Sequence, residues 1–363
     1  MWRENTDKIV KIINAVRKAA REIPNVYPPS KVNDLMSIWY SSKPSTEKLT
    51  SDKYSTYIYH VEEIKGYAIY KSMPSINEAL TELENMNYSV ASIDSSSHGT
   101  GGHGFIPFII HNVGVWLRNY GSGSGYEDNF VFTSITEGLG EVTERIWMKK
   151  NEFKVIKEIS KDLKGDVNFM MLDESFNIGF TMTWSSEERT KYSEVLAEYT
   201  DYLMDNNVIP LGVFYTRAVD IIRGLIVKGI INEEEFQMIQ DKVLLNRLLN
   251  VGERSPIFSI YSKPHTTTNL ELCCIYVKLG EYNVLRVEFP RAALKMVDHI
   301  HRVILLEGVV GEGYPYPLQA SHENAVLSRE IREAITEVFS EELGMIDESY
   351  LSKKEVSKRW PLA

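Results

Sequence analysis

Cysteine is nearly absent: two residues in 363, Cys273 and Cys274, leave neither a disulfide framework nor a zinc-ligand set. Adjacent and inside an apolar run, they face opposite sides if that run is a strand, which marks them as core residues. No apolar stretch approaches the ~18 residues of a membrane span. The N-terminus, M-W-R-E-N-T-D-K, has neither the layout of a signal peptide nor that of a basic transit sequence, so a cytoplasmic protein with no membrane partner is expected. Positive charge is short as well. A net charge of −10 and a pI near 5.4 argue against binding nucleic acid through bulk charge and leave only a local groove. No Gly-Lys-Ser or Gly-Lys-Thr phosphate loop occurs, so an ATP-using enzyme lacks its usual support.

What is present is an ordinary mixture, 43% hydrophobic and 25% charged, long enough for one large or two moderate domains. Two stretches share a design. V-A-S-I-D-S-S-S at 90–97 carries an apolar strand to Asp94, and V-N-F-M-M-L-D-E-S at 167–175 carries another to Asp173. Aspartates delivered by neighbouring strands can hold a divalent cation between them, although Asp-Ser is also common turn chemistry. Residues 145–164 hold seven basic side chains against three acidic ones, which reads as a solvated helix face.

In chain order, residues 4–23 show helical spacing up to Pro24, and the pattern from Val32 to Tyr40 is weak. A polar loop over 41–53 leads to a strand at Tyr54–Tyr59, and Ser75–Glu78 is a capping box opening a helix to about Met86. These first 89 residues read as an extension that packs on, or reaches across to, the main body. The strand ending at Asp94, a glycine-rich loop with His98 and His103, and runs at 105–116, 130–135 and 142–148 follow as a meander. The two histidines lack a third ligand and read as loop residues without catalytic duty. Helix from Asn151, strand to Asp173, helix Ser186–Asp205 and strand Val208–Tyr215 come next. Three antiparallel strands, helix, strand, helix, strand is the ribonuclease H-like arrangement, an α/β mixed sheet flanked by helices. Its acids would fall on Asp94, on Glu152 or Glu158, and on Asp173. Helices at 217–229 and 233–249, strands near 270–279 and 283–289 and a helix at 291–307 complete the reading. The segment Gly313–Ala325 then opens a last long helix, with His322 in its first turn and a tail after 340.

Six motifs in order resemble the NurA family of DNA end-resection nucleases, partners of the HerA translocase. They are I-D-S-S at 93–96, M-K-K-N-E-F at 148–153, M-L-D-E-S at 171–175, G-E-R-S-P at 252–256, R-V-E-F-P at 286–290 and G-Y-P-Y-P-L-Q-A-S-H at 313–322. The resemblance implies a nuclease domain over 90–340 and a metal-dependent deoxyribonuclease, a 5′–3′ exonuclease that also cuts single strands internally. It implies Mn²⁺ or Mg²⁺, two ions, held by Asp94, Glu152 and Asp173 with His322, and a further catalytic role for Tyr314. A homodimer, a HerA-type hexameric partner and DNA as substrate are implied in the same way. Arg254, Arg217 and Arg286 are plausible phosphate contacts, since a guanidinium can meet two oxygens at once, or they pair with nearby acids. Two departures stand out: the family's Asp-Gly-Ser is Asp94-Ser95-Ser96 and Asp173-Glu174-Ser175, and Arg217 stands near where the family favours Lys after the fifth strand. A catalytically silent DNA-binding or scaffold relative is the competing reading.

Overall fold

A computed structural model describes residues 9–19, 21, 29–42, 51, 53–60, 67–70, 72–99, 108–135, 140–215, 217–236 and 239–344. The N-terminal helix, α1, is helical over 9–19 and at 21, and the rest of its expected span and Pro24 lie outside the described residues. The weakly patterned segment is in fact helix α2 (Pro29–Ser41), which buries only Val32 and Leu35 fully and packs Met36, Ile38 and Trp39 partly against the core. Strands β1 (Thr56–His60) and β2 (Tyr67–Ala68) precede α3 (Ile76–Asn85), whose N-cap Ser75 and Glu78 form the expected reciprocal box.

The meander is β3 (Tyr88–Gly99), β4 (Phe108–Asn119) and β5 (Ser124–Ile135), in register from Asp94 opposite Gly114 to Val115 opposite Asp128. Strand β3 runs five residues past Asp94, so His98 is a strand residue; His103 lies outside the described residues. The stretch 142–148, expected to be extended, belongs to helix α4 (Glu141–Ile159). Its apolar residues are too widely spaced for alternation, and Ile146, Phe153 and Ile156 bury one helical face. Then follow β6 (Val167–Leu172), α5 (Ser186–Asp205) and β7 (Val208–Tyr215), a β-α-β unit of parallel strands.

In the second half α6 (Asp220–Val227), α7 (Glu233–Phe236) and α8 (Asp241–Leu248) replace the two helices expected there. Short β8 (Glu253–Arg254) and β9 (Phe258–Ser262) lead to the hairpin β10 (Leu272–Gly280) and β11 (Asn283–Pro290). Helices α9 (Val297–Val310), α10 (Tyr316–Ala325) and α11 (Arg329–Gly344) close the described chain.

Among the described residues eleven strands join one sheet, in the order β1-β9-β10-β11-β7-β6-β3-β4-β5, with β2 and β8 to the side. Within it, β5-β4-β3-β6-β7 is a five-strand core in which β3, β6 and β7 are parallel. The N-terminal extension reaches across the molecule, since β1 pairs with β9 at the far edge. Each face of the sheet has its own core. Val90, Phe169, Met171, Leu211 and Val213 pack toward α3, α9 and α10. Ala91, Ile93, Met170 and Leu172 pack toward α4, α5 and α6. Cys273 and Cys274 divide between the two cores as expected.

Candidate active site at the sheet rim

Strand alternation decides which side chains meet. On β3, Ser92, Asp94 and Ser96 point to α10: Ser92 Oγ and Ser321 Oγ are 2.7 Å apart, and Ser96 Oγ donates to the Ala325 carbonyl. On β6, Phe169 and Met171 face the same side, so Asp173, the next residue of that parity, emerges there too. Because β3 and β6 are parallel with Ile93 opposite Leu172, Asp94 and Asp173 come side by side where β6 ends and β3 runs on.

Helix α10 supplies the third group. With Asp94 ionised, His322 Nδ1 donates to Asp94 Oδ2 at 2.6 Å, while the Ser95 N–H donates to Oδ1 at 2.7 Å. His322 sits near the C-terminal end of α10 instead of its first turn, because that helix stops at Ala325 and does not run on as one long helix. It reaches Asp94 because α10 lies directly on Gly114 of β4, where a Cβ would come within 2.3 Å of Ala325 N and Ser321 O.

Tyr314 completes the group. Its hydroxyl donates to the Val213 carbonyl at 3.4 Å and lies close enough to Asp173 for the two groups to shift each other's pKa, and its ring stacks on Tyr215 at the end of β7, with centroids 5.2 Å apart. Desolvation raises the Asp173 pKa, and the like charge of Asp94 adds to this; Tyr314 and His322 act in the opposite sense. Desolvation also raises Tyr314, assisted by Asp173, so its hydroxyl stays a donor. Tyr215, which Asp173 also influences, is a site residue that sequence reasoning passed over in favour of Arg217. The aromatic pair Phe214-Tyr215 at a strand end was the available signal.

Glu152 is placed differently. Ser95 points to the opposite face from Asp94, and its Oγ donates to Glu152 Oε1 at 2.6 Å, while Lys149 Nζ holds Oε2. The same ammonium reaches Glu174 Oε2 at 2.6 Å, and Tyr199 donates to Glu174 Oε1 at 3.1 Å. Burial alone would raise Glu152, but Lys149 and Ser95 outweigh it and hold the carboxyl low. For Glu174, burial prevails and raises it. Glu152 is therefore tied to Asp94 only through Ser95, across the thickness of the sheet. Glu158, the alternative, is exposed.

The arginines separate. Arg217 is exposed just beyond β7. Arg286, expected as a phosphate contact, is instead 1% exposed, with Nη1 on Asp220 Oδ2 and Nε facing Glu288 Oε1, both at 2.7 Å. It faces the core side of β11 because Val287 and Phe289 take the other face. Arg254 is likewise drawn inward, donating to Ser255 O at 3.1 Å and lying 3.4 Å from Asp298.

Among the described residues no three His, Cys, Asp or Glu side chains form a ready-made cation cage, since His322 is bonded to Asp94 and Glu152 to Lys149. The donors nevertheless suit a hard divalent ion: two aspartates side by side with an imidazole at their rim. No helix among them is long and apolar enough to cross a membrane.

A mixed five-strand core with one carboxylate midway along its first strand and another just past its fourth defines a ribonuclease H-like protein. Within that class the chain belongs to the NurA family, whose NurA domain model matches residues 88–327. Among solved structures it is similar to the NurA nuclease from Sulfolobus solfataricus, at 17% identity and a TM-score of 0.54, covering 96% of this chain and 99% of that one. A NurA structure with manganese is 11% identical with a TM-score of 0.44, over 93% of this chain and 98% of that one. No curated protein matches by sequence.

Proposed function

We propose that this protein is a divalent-metal-dependent DNA nuclease that hydrolyses phosphodiester bonds at the rim formed by β3, β6 and α10. The observation that carries the reading is the side-by-side placement of Asp94 and Asp173 with His322 hydrogen-bonded to Asp94 and Tyr314 beside Asp173. Asp94, Asp173 and His322 would hold Mn²⁺ or Mg²⁺, and Glu152 would join them on leaving Lys149 and Ser95. A cation there supplies an activated water and neutralises charge on the phosphoryl oxygens. Tyr314 orients Asp173 through its hydroxyl. His322, exposed and anchored by Nδ1, would use Nε2 either to complete the ion's shell or, in its place, to take and deliver a proton. Arg217 stands at the rim to meet phosphate. By family, the substrate is a 5′-ended or single DNA strand, degraded as a homodimer with a HerA-type translocase during end resection and break repair.

The test is cleavage of labelled single-stranded DNA with Mn²⁺ or Mg²⁺. We expect cleavage by the wild type and its loss in Asp94→Asn and Asp173→Asn with unchanged folding. Retained cleavage in both variants would refute the assignment. The commitment of Glu152 to Lys149 favours a second reading, a DNA-binding scaffold without turnover; binding of DNA with no cleavage in either ion would select it.

A further inference from the structure

Behind the acid pair, on the opposite face of the sheet, lies an open cleft of about 390 Å³ that none of the proposed catalytic groups enters. It is bounded by Ser175, Asn177 and Phe180 after β6, by Phe214 at the end of β7, and by Asp220 and Arg223 of α6, with Arg286 at its floor. The cleft and the acids share one rim. Asp173 and Ser175 are two residues apart on one chain, and Phe214 and Tyr215 are consecutive residues that turn to opposite faces. In open α/β sheets the space outside the carboxyl ends of parallel strands is where ligands bind.

The chemistry of the lining is specific. Arg286 is 1% exposed, and its Nη2 has no hydrogen-bond partner; the buried Asn177 Oδ1 has none either. Arg286 and Arg223 are already matched by ion pairs to Asp220 and, for Arg286, Glu288. The charges therefore balance, which disfavours a phosphate. An unfilled donor and an unfilled acceptor ask for a neutral, planar ligand that offers both. Phe180, 50% exposed, lies beside them with its ring edge-to-face with Trp184, centroids 5.5 Å apart. Exposed aromatic surface is how single-strand binders stack a base, and the unpaired polar atoms beside Phe180 are partners for that base's edge.

We propose that this cleft takes one unstacked nucleobase of a single DNA strand, with Phe180 as the stacking surface and Arg286 Nη2 and Asn177 Oδ1 meeting the base edge. The backbone of that nucleotide crosses the rim toward Asp94 and Asp173. This rests on the nuclease reading for its substrate, but its test does not depend on turnover. In metal-free buffer, a single-stranded oligothymidylate should change the fluorescence of Trp184, a signal assigned by its loss in Trp184→Phe. Phe180→Ala should weaken that binding by about tenfold or more, and Phe180→Tyr should restore it. With Mn²⁺, Phe180→Ala should raise KM for single-stranded DNA by a similar factor and leave kcat within about twofold. If the wild type cleaves and Phe180→Ala has unchanged KM and affinity, the base pocket is refuted while the nuclease reading stands. If no DNA is cleaved but the Phe180-dependent binding is seen, the pocket stands and the nuclease reading fails. Binding that is insensitive to position 180 overturns the inference in either case.

Discussion

The sharpest consequence of the packing concerns Gly114. Helix α10 rests on this glycine, and Asp94 is its cross-strand partner. In Gly114→Ala the new methyl would stand 2.3 Å from Ala325 N and Ser321 O, both backbone atoms that no side-chain rotation can clear. Reaching an ordinary contact of about 3.4 Å requires α10 or β4 to retreat by about 1 Å. The bond from His322 to Asp94 and the Ser92–Ser321 contact both span that gap. Overpacking of this kind costs about 1–3 kcal/mol of stability, and a catalytic group displaced by about 1 Å loses roughly a hundredfold in rate. The assay is kcat for single-stranded DNA, paired with far-ultraviolet circular dichroism and a thermal melt. The expected variant is folded, melts lower and cleaves about a hundredfold more slowly. A folded Gly114→Ala protein with wild-type kcat would refute the claim that α10 sets the geometry of the acid pair.

Lys149→Met leaves the buried Glu152 and the half-buried Glu174 without their cation and should destabilise by about 3 kcal/mol in urea titrations at neutral pH; an unchanged midpoint would show the cluster to be solvated. Glu307 is buried against Tyr120, and burial pushes its carboxyl up to about 8, the Tyr120 hydroxyl and Arg118 acting the other way. A carboxyl raised on folding contributes stability that is fully present below its unfolded value of 4.5 and is lost as pH rises through about 8. Glu307→Gln should therefore gain on the wild type between those limits, by a few kcal/mol at about 1.4 kcal/mol per pH unit, and a pH-independent difference in melts would contradict this. Mn²⁺ should raise the melting temperature of the wild type but not of the Asp94→Asn, Asp173→Asn double variant. Cys273 and Cys274, buried and with raised thiol pKa values, should react with a thiol reagent only after unfolding.

Much of this arrangement was legible in the sequence because it follows from local chemistry. An apolar run ending in an acid located Asp94 and Asp173, and the alternation of strand and helix fixed their order. The capping box at Ser75 and the limits of α5 and β7 were read from the same kind of signal. What escaped was set by contacts distant in sequence. Nothing local to R-V-E-F-P distinguishes an arginine offered to phosphate from one enclosed by Asp220, which lies 66 positions earlier. The side of the sheet on which Glu152 falls depends on the rotation of α4, and the expected strand at 142–148 put the start of that helix ten residues late. His322, expected in the first turn of a last long helix, lies instead in the second half of α10, which begins at Tyr316 and ends at Ala325.

The pairing of β1 with β9 bears on any attempt to isolate the part of the molecule that the NurA domain model matches. A polypeptide cut back to 88–327 would lose the strand that covers the outer edge of β9, together with the stacked rings of Tyr57 and Tyr261. Five residues of unpaired backbone beside the apolar Phe258 and Ile260 would then be open to any passing strand, and such a fragment should aggregate at lower concentration than the whole chain.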